Sequence, residues 1–141
     1  MLKVVIHSEI VVNRKPEDDL IASLHREATQ WKERKNWNQA VQCLQIAKGH
    51  MEQSSVIYPV LTWLRLPLFL QQADRYPEAL IEFQWLIDTA EARTARGFSH
   101  LPKRKIQQMA REDVRTIKDK MRLAAEREAK RRAKANGPLT R

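Results

Sequence analysis

The stretch DRYPEALIEF, Asp74 to Phe83, decides how this chain is read. Asp74, Arg75 and Tyr76 have turn character. Pro77 suits the first turn of a helix, where its missing N–H would lack a partner anyway. Ala79, Leu80, Phe83, Leu86, Ile87 and Ala90 then recur at helical spacing and predict a helix from Pro77 to about Arg96, stopped by Gly97. A similar stretch lies upstream: RKNWNQAVQCL, Arg34 to Leu44. Lys35, Asn36 and Trp37 interrupt an apolar pattern there, and a helix follows from about Asn38 to about Glu52. Its stripe is Ala40, Val41, Leu44 and Ala47, with Cys43 beside it.

Working outward, Pro16 predicts the start of a first helix. Glu17, Asp18 and Asp19 fall in its first turn, where acids suit the helix dipole. Leu20, Ile21, Leu24, Ala28 and Trp31 carry its apolar period. Ser54 and Ser55 mark a loop. The segment from about Pro59 to about Ala73 is apolar nearly all round, which predicts a buried helix that Pro67 kinks or splits. A last helix is expected from about Pro102 to Ala135, ended by Asn136–Gly137–Pro138. Ile106, Met109, Ala110, Val114, Ile117 and Met121 should dock it on the body. Past Met121, AEREAKRRAKA is expected to project into water.

KVVIHSEIVV, Lys3 to Val12, is the one strong strand signal. Val4, Ile6, Ser8, Ile10 and Val12 share a face. A lone strand leaves backbone groups unpaired. It predicts a hairpin, a homodimer through paired N-terminal strands, addition to a partner's sheet, or an arm along the helical body.

Composition agrees with helices. Among 141 residues there are three glycines, too few for a turn-rich β fold. The length fits one domain with an appendage. We divide it into a helical domain at 1–121, with an extended arm at 1–15, and a basic tail at 122–141. The single cysteine excludes an intrachain disulfide and fits a reducing compartment. No signal-peptide pattern opens the chain, and the longest apolar run, Pro59 to Leu70, holds Arg65 and is too short for a bilayer. The expectation is a cytoplasmic protein with no membrane partner.

The aligned alanines, Ala40 and Ala79, each follow an aromatic by three residues, Trp37 and Tyr76. Each precedes a large apolar residue by four, Leu44 and Phe83, and follows another by nine, Trp31 and Leu70. This resembles the tetratricopeptide repeat, in which a small residue lets two antiparallel helices pack closely. The resemblance covers about residues 20–92, and a helix over 102–121 would cap the stack. The alanines are 39 residues apart, against about 34 in the family. The small residue of the first helix is Ala28 in one unit and Pro67 in the other, and neither unit ends in the usual proline. Two units are fewer than the roughly three a stable array needs, so the tail helix, the arm or a second subunit must supply packing.

The family binds extended peptides along its first helices. Carried over, the protein-binding groove would be lined by Ala22, His25, Thr29, Lys32 and Glu33, then by Leu61, Leu64, Leu68, Gln71 and Gln72. Only Lys32 is of the kind that holds a carboxylate in the family's chaperone-binding members. Leu61, Leu64 and Leu68 imply either an apolar ligand segment or core under the arm or tail helix, and the sequence favours core.

No catalytic constellation emerges. The glycines form no phosphate-cradling loop. His7, His25, His50 and His100 lack ligand spacing to each other or to Cys43, so no metal and no cofactor is expected. Cys43 lies beside a packing stripe and reads as an inert thiol. Trp31, Trp37, Trp63 and Trp85 read as packing anchors.

The net charge of +9 is localised. Residues 1–100 hold twelve Lys plus Arg and twelve Asp plus Glu, whereas residues 101–141 hold fourteen against five. Glu126–Lys130 and Glu128–Arg132 have the favourable order for helix pairs. Lys103, Arg104, Lys105, Arg127, Lys130, Arg131, Arg132 and Lys134 are the candidate contacts to phosphate or to an acidic partner. No aromatic follows Phe98, so any nucleic-acid binding there would be non-specific. The expected function is a small non-catalytic protein–protein interaction module, an adaptor or an inhibitor of a larger complex. The alternative is a nucleic-acid-associated accessory protein using residues 103–134.

Overall fold

The computed structural model describes residues 16–136, and all of their regular structure is helical. The expected strand and dimer arm at 1–15, and the Gly137–Pro138 stop, lie outside the described residues. The chain is all-α over the part described.

Helix α1 (Pro16–Glu33) begins at the proline with its three acids in the first turn, and buries Ile21, Leu24 and Ala28. Helix α2 (Trp37–Gln53) is started by Asn36, whose side-chain oxygen accepts from the Gln39 N–H at 3.2 Å. Such a cap is worth about 1 kcal/mol. The two helices pack together, with Ala28, Ala40 and Ala47 fully buried. A methyl side chain at these points allows close backbone approach.

The turn between them recurs later in the chain. Lys35 has a left-handed backbone (φ 60°). The Asn36 N–H donates to Trp31 O at 2.9 Å, and the Lys35 N–H donates to Lys32 O at 2.8 Å. Further on, Asp74 is left-handed (φ 64°). The Arg75 N–H donates to Leu70 O at 2.9 Å and the Asp74 N–H to Gln71 O at 3.3 Å. Both are the two-bond Schellman closure of a helix end. Neither uses the glycine that such a position favours, so each holds an L residue at a cost of about 1–2 kcal/mol. The repeated phrase in the sequence is a repeated turn in the fold.

Pro67 acts as expected. The apolar segment is split into α3 (Val60–Trp63) and α4 (Arg65–Gln72), with Leu64 at the break. Proline has no N–H for the carbonyl four residues back, which is that of Trp63. A second break was not expected. The helix from Tyr76 divides at Thr89 into α5 (Tyr76–Asp88) and α6 (Ala90–Gly97). The Thr89 hydroxyl donates to Trp85 O at 2.8 Å, and Arg93 donates to that hydroxyl and to Leu86 O. Back-bonding by threonine competes with the helix ladder and bends it. Gly97 is the last residue of α6 but does not take the left-handed backbone of a glycine stop; it packs closely on Ile57. A Cβ there would lie 2.7 Å from Ile57 Cγ1.

The core gathers Ile21, Leu44, Met51, Leu64, Leu70, Phe83 and Leu86, with Trp63 at its edge. Trp31, Trp37 and Trp85 pack against it half-buried, in keeping with their reading as anchors. Trp37 meets Phe69 edge-on at 5.4 Å, and Trp63 meets Trp85 at 5.9 Å.

Helix α7 (Lys103–Asn136) packs on α5 and α6 and touches α3 and α4. Ile106, Ala110 and Ile117 are buried as expected. The docked stretch is longer than the apolar stripe implied, because Ala124 and Glu128 are buried too. A boundary at 121/122 therefore cuts a continuous, docked helix. The reason is that one partner of the body is polar: Gln71 of α4, itself buried, donates to Glu128 at 3.1 Å.

Candidate functional site

The groove residues do not form one open surface. Leu64 is fully buried and belongs to the core, whereas Leu61 is 58% exposed. Leu68 is partly buried against the core. Ala22 is half-buried, and Lys32, Glu33 and Gln72 are exposed. Lys32 sits over the Phe69 ring at 5.8 Å. Gln71 is committed to Glu128.

His25 and Thr29 are committed to Arg65, a residue the sequence reading left out of the groove. Arg65 donates to His25 Nδ1 at 2.9 Å, to His25 O at 3.1 Å and to Thr29 Oγ1 at 2.7 Å. Its guanidinium stacks over Phe69 at 5.0 Å. The cluster ties α1 to α4. A histidine that accepts at Nδ1 carries its proton on Nε2. That nitrogen is buried without a hydrogen-bond partner among the described residues. Burial, and then the Arg65 charge, push the His25 pKa down to about 4. The ring is neutral at neutral pH.

The basic candidates divide into two kinds. Lys103, Arg104, Lys105, Arg127, Lys130 and Lys134 are exposed and form no ion pair among the described residues. Arg131 and Arg132 are turned inward on Glu128, at 2.7 and 3.0 Å, and Arg131 also reaches Asp74 at 2.8 Å. Their charge is partly spent on docking α7. The Arg131 hydrogen bond, with those from Gln71 and Arg132, holds the Glu128 carboxyl down to about 2. The expected Glu128–Arg132 pair is formed. Glu126 pairs with Arg122 at 3.0 Å, the turn before it, in place of Lys130. Gln71 and Gln72 meet Arg127, Lys130 and Arg131 around a shallow recess of about 310 Å³, so parts of the two candidate sets share one place.

A larger groove runs between α5–α6 and α7, with a volume of about 740 Å³. Ile87, Ala90, Ala110 and Val114 give it an apolar floor. Asp88 and Glu91 line it from α5 and α6, and Arg111, Arg115 and Lys118, with Asp119 beside them, line it from α7, so that side is basic on balance. The sequence reading missed this basic rim. Its signal was present: Arg104, Arg111, Arg115, Lys118 and Arg122 recur at three-, four- and seven-residue steps, which places them on one helix face. What the sequence lacked was the acidic rim opposite, supplied by another helix.

Other chemistry is inward-facing or dispersed. Cys43 is a free, buried thiol that donates to Glu27 at 3.9 Å, and burial followed by the Glu27 charge raises its pKa. Among the described residues no group of three or more His, Cys, Asp and Glu is placed to hold a metal ion. Nor is any of their helices long and apolar enough to cross a membrane. No family model, curated protein or solved structure matches the chain significantly.

Proposed function

We propose that the protein is a small, non-catalytic interaction module, an adaptor or an inhibitor of a larger complex, that takes an amphipathic helical segment of a protein partner into the groove between α5–α6 and α7. The observation that carries this reading is the groove's make-up: an apolar floor between an acidic rim and a rim basic on balance. An amphipathic helix offers one apolar stripe flanked by charges, so floor and rims are matched together and the opposed rims set its direction. A phosphate backbone has no use for the floor and is repelled by Asp88 and Glu91.

In this reading α1–α2 and α3/α4–α5 are two antiparallel, tetratricopeptide-like pairs, and α7 is the cap that makes up for the missing third unit. The hydrogen bonds repeated at the two turns support that pairing. The binding groove then lies beside the cap and not along the first helices, where Arg65 and Leu64 fill the space. A cytoplasmic setting goes with it, since a free buried thiol needs no oxidising compartment.

The test is capture from native lysate by the full chain, with cross-linking to locate the contact. A protein that cross-links to α7 between Arg111 and Lys118 should be lost with Arg115→Glu and retained with Lys130→Glu. Retention through Arg115→Glu would sink the groove reading. The second reading, phosphate-backbone binding, is favoured by the exposed cations of α7 that form no ion pair among the described residues, Lys103, Arg104, Lys105, Arg127, Lys130 and Lys134 among them. Polarisation with labelled duplex DNA and RNA at about 0.15 M salt tests it. Affinity lost with Arg127→Glu and Lys130→Glu, and falling steeply with salt, would put it first.

A further inference from the structure

We propose that the cavity walled by residues 52–61, α6 and α7 binds a small organic cation, an amine carried on a flat aromatic body, whose ammonium meets Asp113. The cavity holds about 850 Å³ and shares no lining residue with the groove assigned above to a protein partner. Its volume is in the range of small-molecule sites. The apolar part of the wall selects the body of the ligand. Val56, Ile57 and Leu61 line the cavity at 39%, 50% and 58% exposure. Trp63, Phe98 and Met109 line it too. Side chains of this kind gathered in one concavity mark a surface that is covered in use. Two aromatic rings and a thioether offer favourable edge-on and offset contacts to a third ring.

The polar part of the wall selects the charge. Its main donors are already engaged. Tyr58 OH donates to Asp18 at 3.1 Å, Thr94 Oγ1 to Ala90 O at 2.9 Å, and Arg96 to Glu52 O at 2.6 Å. Arg93 donates to Thr89 and to Leu86 O, and its guanidinium lies over the Trp63 and Trp85 rings at 5.3 and 5.7 Å. What the wall still offers is an acceptor. Asp113 is half-buried and accepts no hydrogen bond among the described residues. Burial raises its pKa, against the pull of the Arg93 charge and with a further push from Glu112. A carboxylate so placed gains more from an incoming ammonium than one in water, because the wall has already taken part of its hydration. Glu52, Glu112 and Asp113 stand against Arg93 and Arg96 in the lining, so acids lead there although the chain as a whole carries +9. An anion would meet carboxylates and engaged donors, and a neutral ring would leave Asp113 unanswered.

The probe is tryptamine, titrated into the full chain and followed by amide chemical shifts. Tryptophol is its neutral counterpart and indole-3-propionate its anionic one. The expected result is saturable shifts at residues 56–61 and 109–116, with a Kd of about 2 mM or tighter. Tryptophol should bind about tenfold more weakly, and indole-3-propionate should not saturate. Asp113→Asn should bring tryptamine down to the tryptophol level with the helical circular dichroism unchanged. Absence of saturable shifts would overturn the proposal, as would equal affinities for tryptamine and tryptophol, or tryptamine binding kept in folded Asp113→Asn. So would shifts centred on residues 87–91, which would move the amine to the other groove. A blocked tryptophyl-lysine dipeptide that binds about tenfold more tightly than tryptamine would overturn the small-molecule class and give the cavity to a protein segment. If Asp113→Asn loses its helical circular dichroism, Leu61→Lys decides, since it sets a cation at an exposed position of the lining. Tryptamine binding lost there with intact helices would support the proposal, and binding kept would overturn it.

Discussion

Replacing Glu128 by alanine tests how far α7 is docked. The carboxylate is 3% exposed and accepts from Gln71 at 3.1 Å, from Arg131 at 2.7 and 3.2 Å, and from Arg132 at 3.0 Å. The Gln71 bond is buried at both ends, and a hydrogen bond to a charged group contributes about 1.5–3 kcal/mol. Removing the carboxylate also leaves the buried Gln71 amide without an acceptor. Arg131 and Arg132 are each near half exposed or more, so solvent screening leaves their pairs a minor part of the loss. The sum is a loss of about 2–3 kcal/mol. Glu126→Ala is the control, since its partner Arg122 is exposed, and should cost about 0.3–0.5 kcal/mol. Urea unfolding followed by far-UV circular dichroism measures both. A double-mutant cycle with Gln71→Ala should return a coupling of about 1–2 kcal/mol. If Glu128→Ala costs no more than Glu126→Ala, the end of α7 is not held by Gln71, and the projecting tail that the apolar stripe implied would be right. Acid gives a second reading of the same contact. The folded carboxyl is depressed to about 2, so its contribution is present above the unfolded value near 4.5. It should be lost as pH falls towards 2.

The left-handed turns offer a stabilising change. Lys35→Gly should raise stability by about 0.5–1 kcal/mol in thermal melts. Asp74→Gly should gain less, because aspartate tolerates this backbone and Asp74 also meets Arg131. Leu64→Asp should unfold the chain, since truncation alone at a fully buried leucine costs about 2–5 kcal/mol, whereas Leu61→Asp should leave the helical circular dichroism unchanged. His25 predicts a second pH window. Its folded pKa is about 4 against 6.5 unfolded, so stability is full above 6.5 and falls as pH drops towards 4. With the ring only partly buried, the loss should be about 1–2 kcal/mol, and His25→Gln should remove this slope.

The sequence by itself determined the helices, their order and the repeated turn. Those follow from local physics: apolar spacing sets which face is buried, Pro67 removes one particular hydrogen bond, and Asn36 caps one particular helix. It favoured core for Leu61, Leu64 and Leu68 alike, and only the tertiary structure separates them: Leu64 is fully buried, Leu68 partly, and Leu61 is 58% exposed. The tertiary structure decided what two helices make together. Thr89 breaks a helix because Arg93 is pinned against it, over the Trp63 and Trp85 rings at 5.3 and 5.7 Å. Arg65 consumes the polar residues of the family-like groove because α4 brings it beside α1. The tail stays docked through Glu128 because its partner is a buried glutamine, and a buried polar contact leaves no hydrophobic period in the sequence. The basic row of α7 was visible as a row, but it became one wall of a groove only when α5 and α6 set Asp88 and Glu91 across from it.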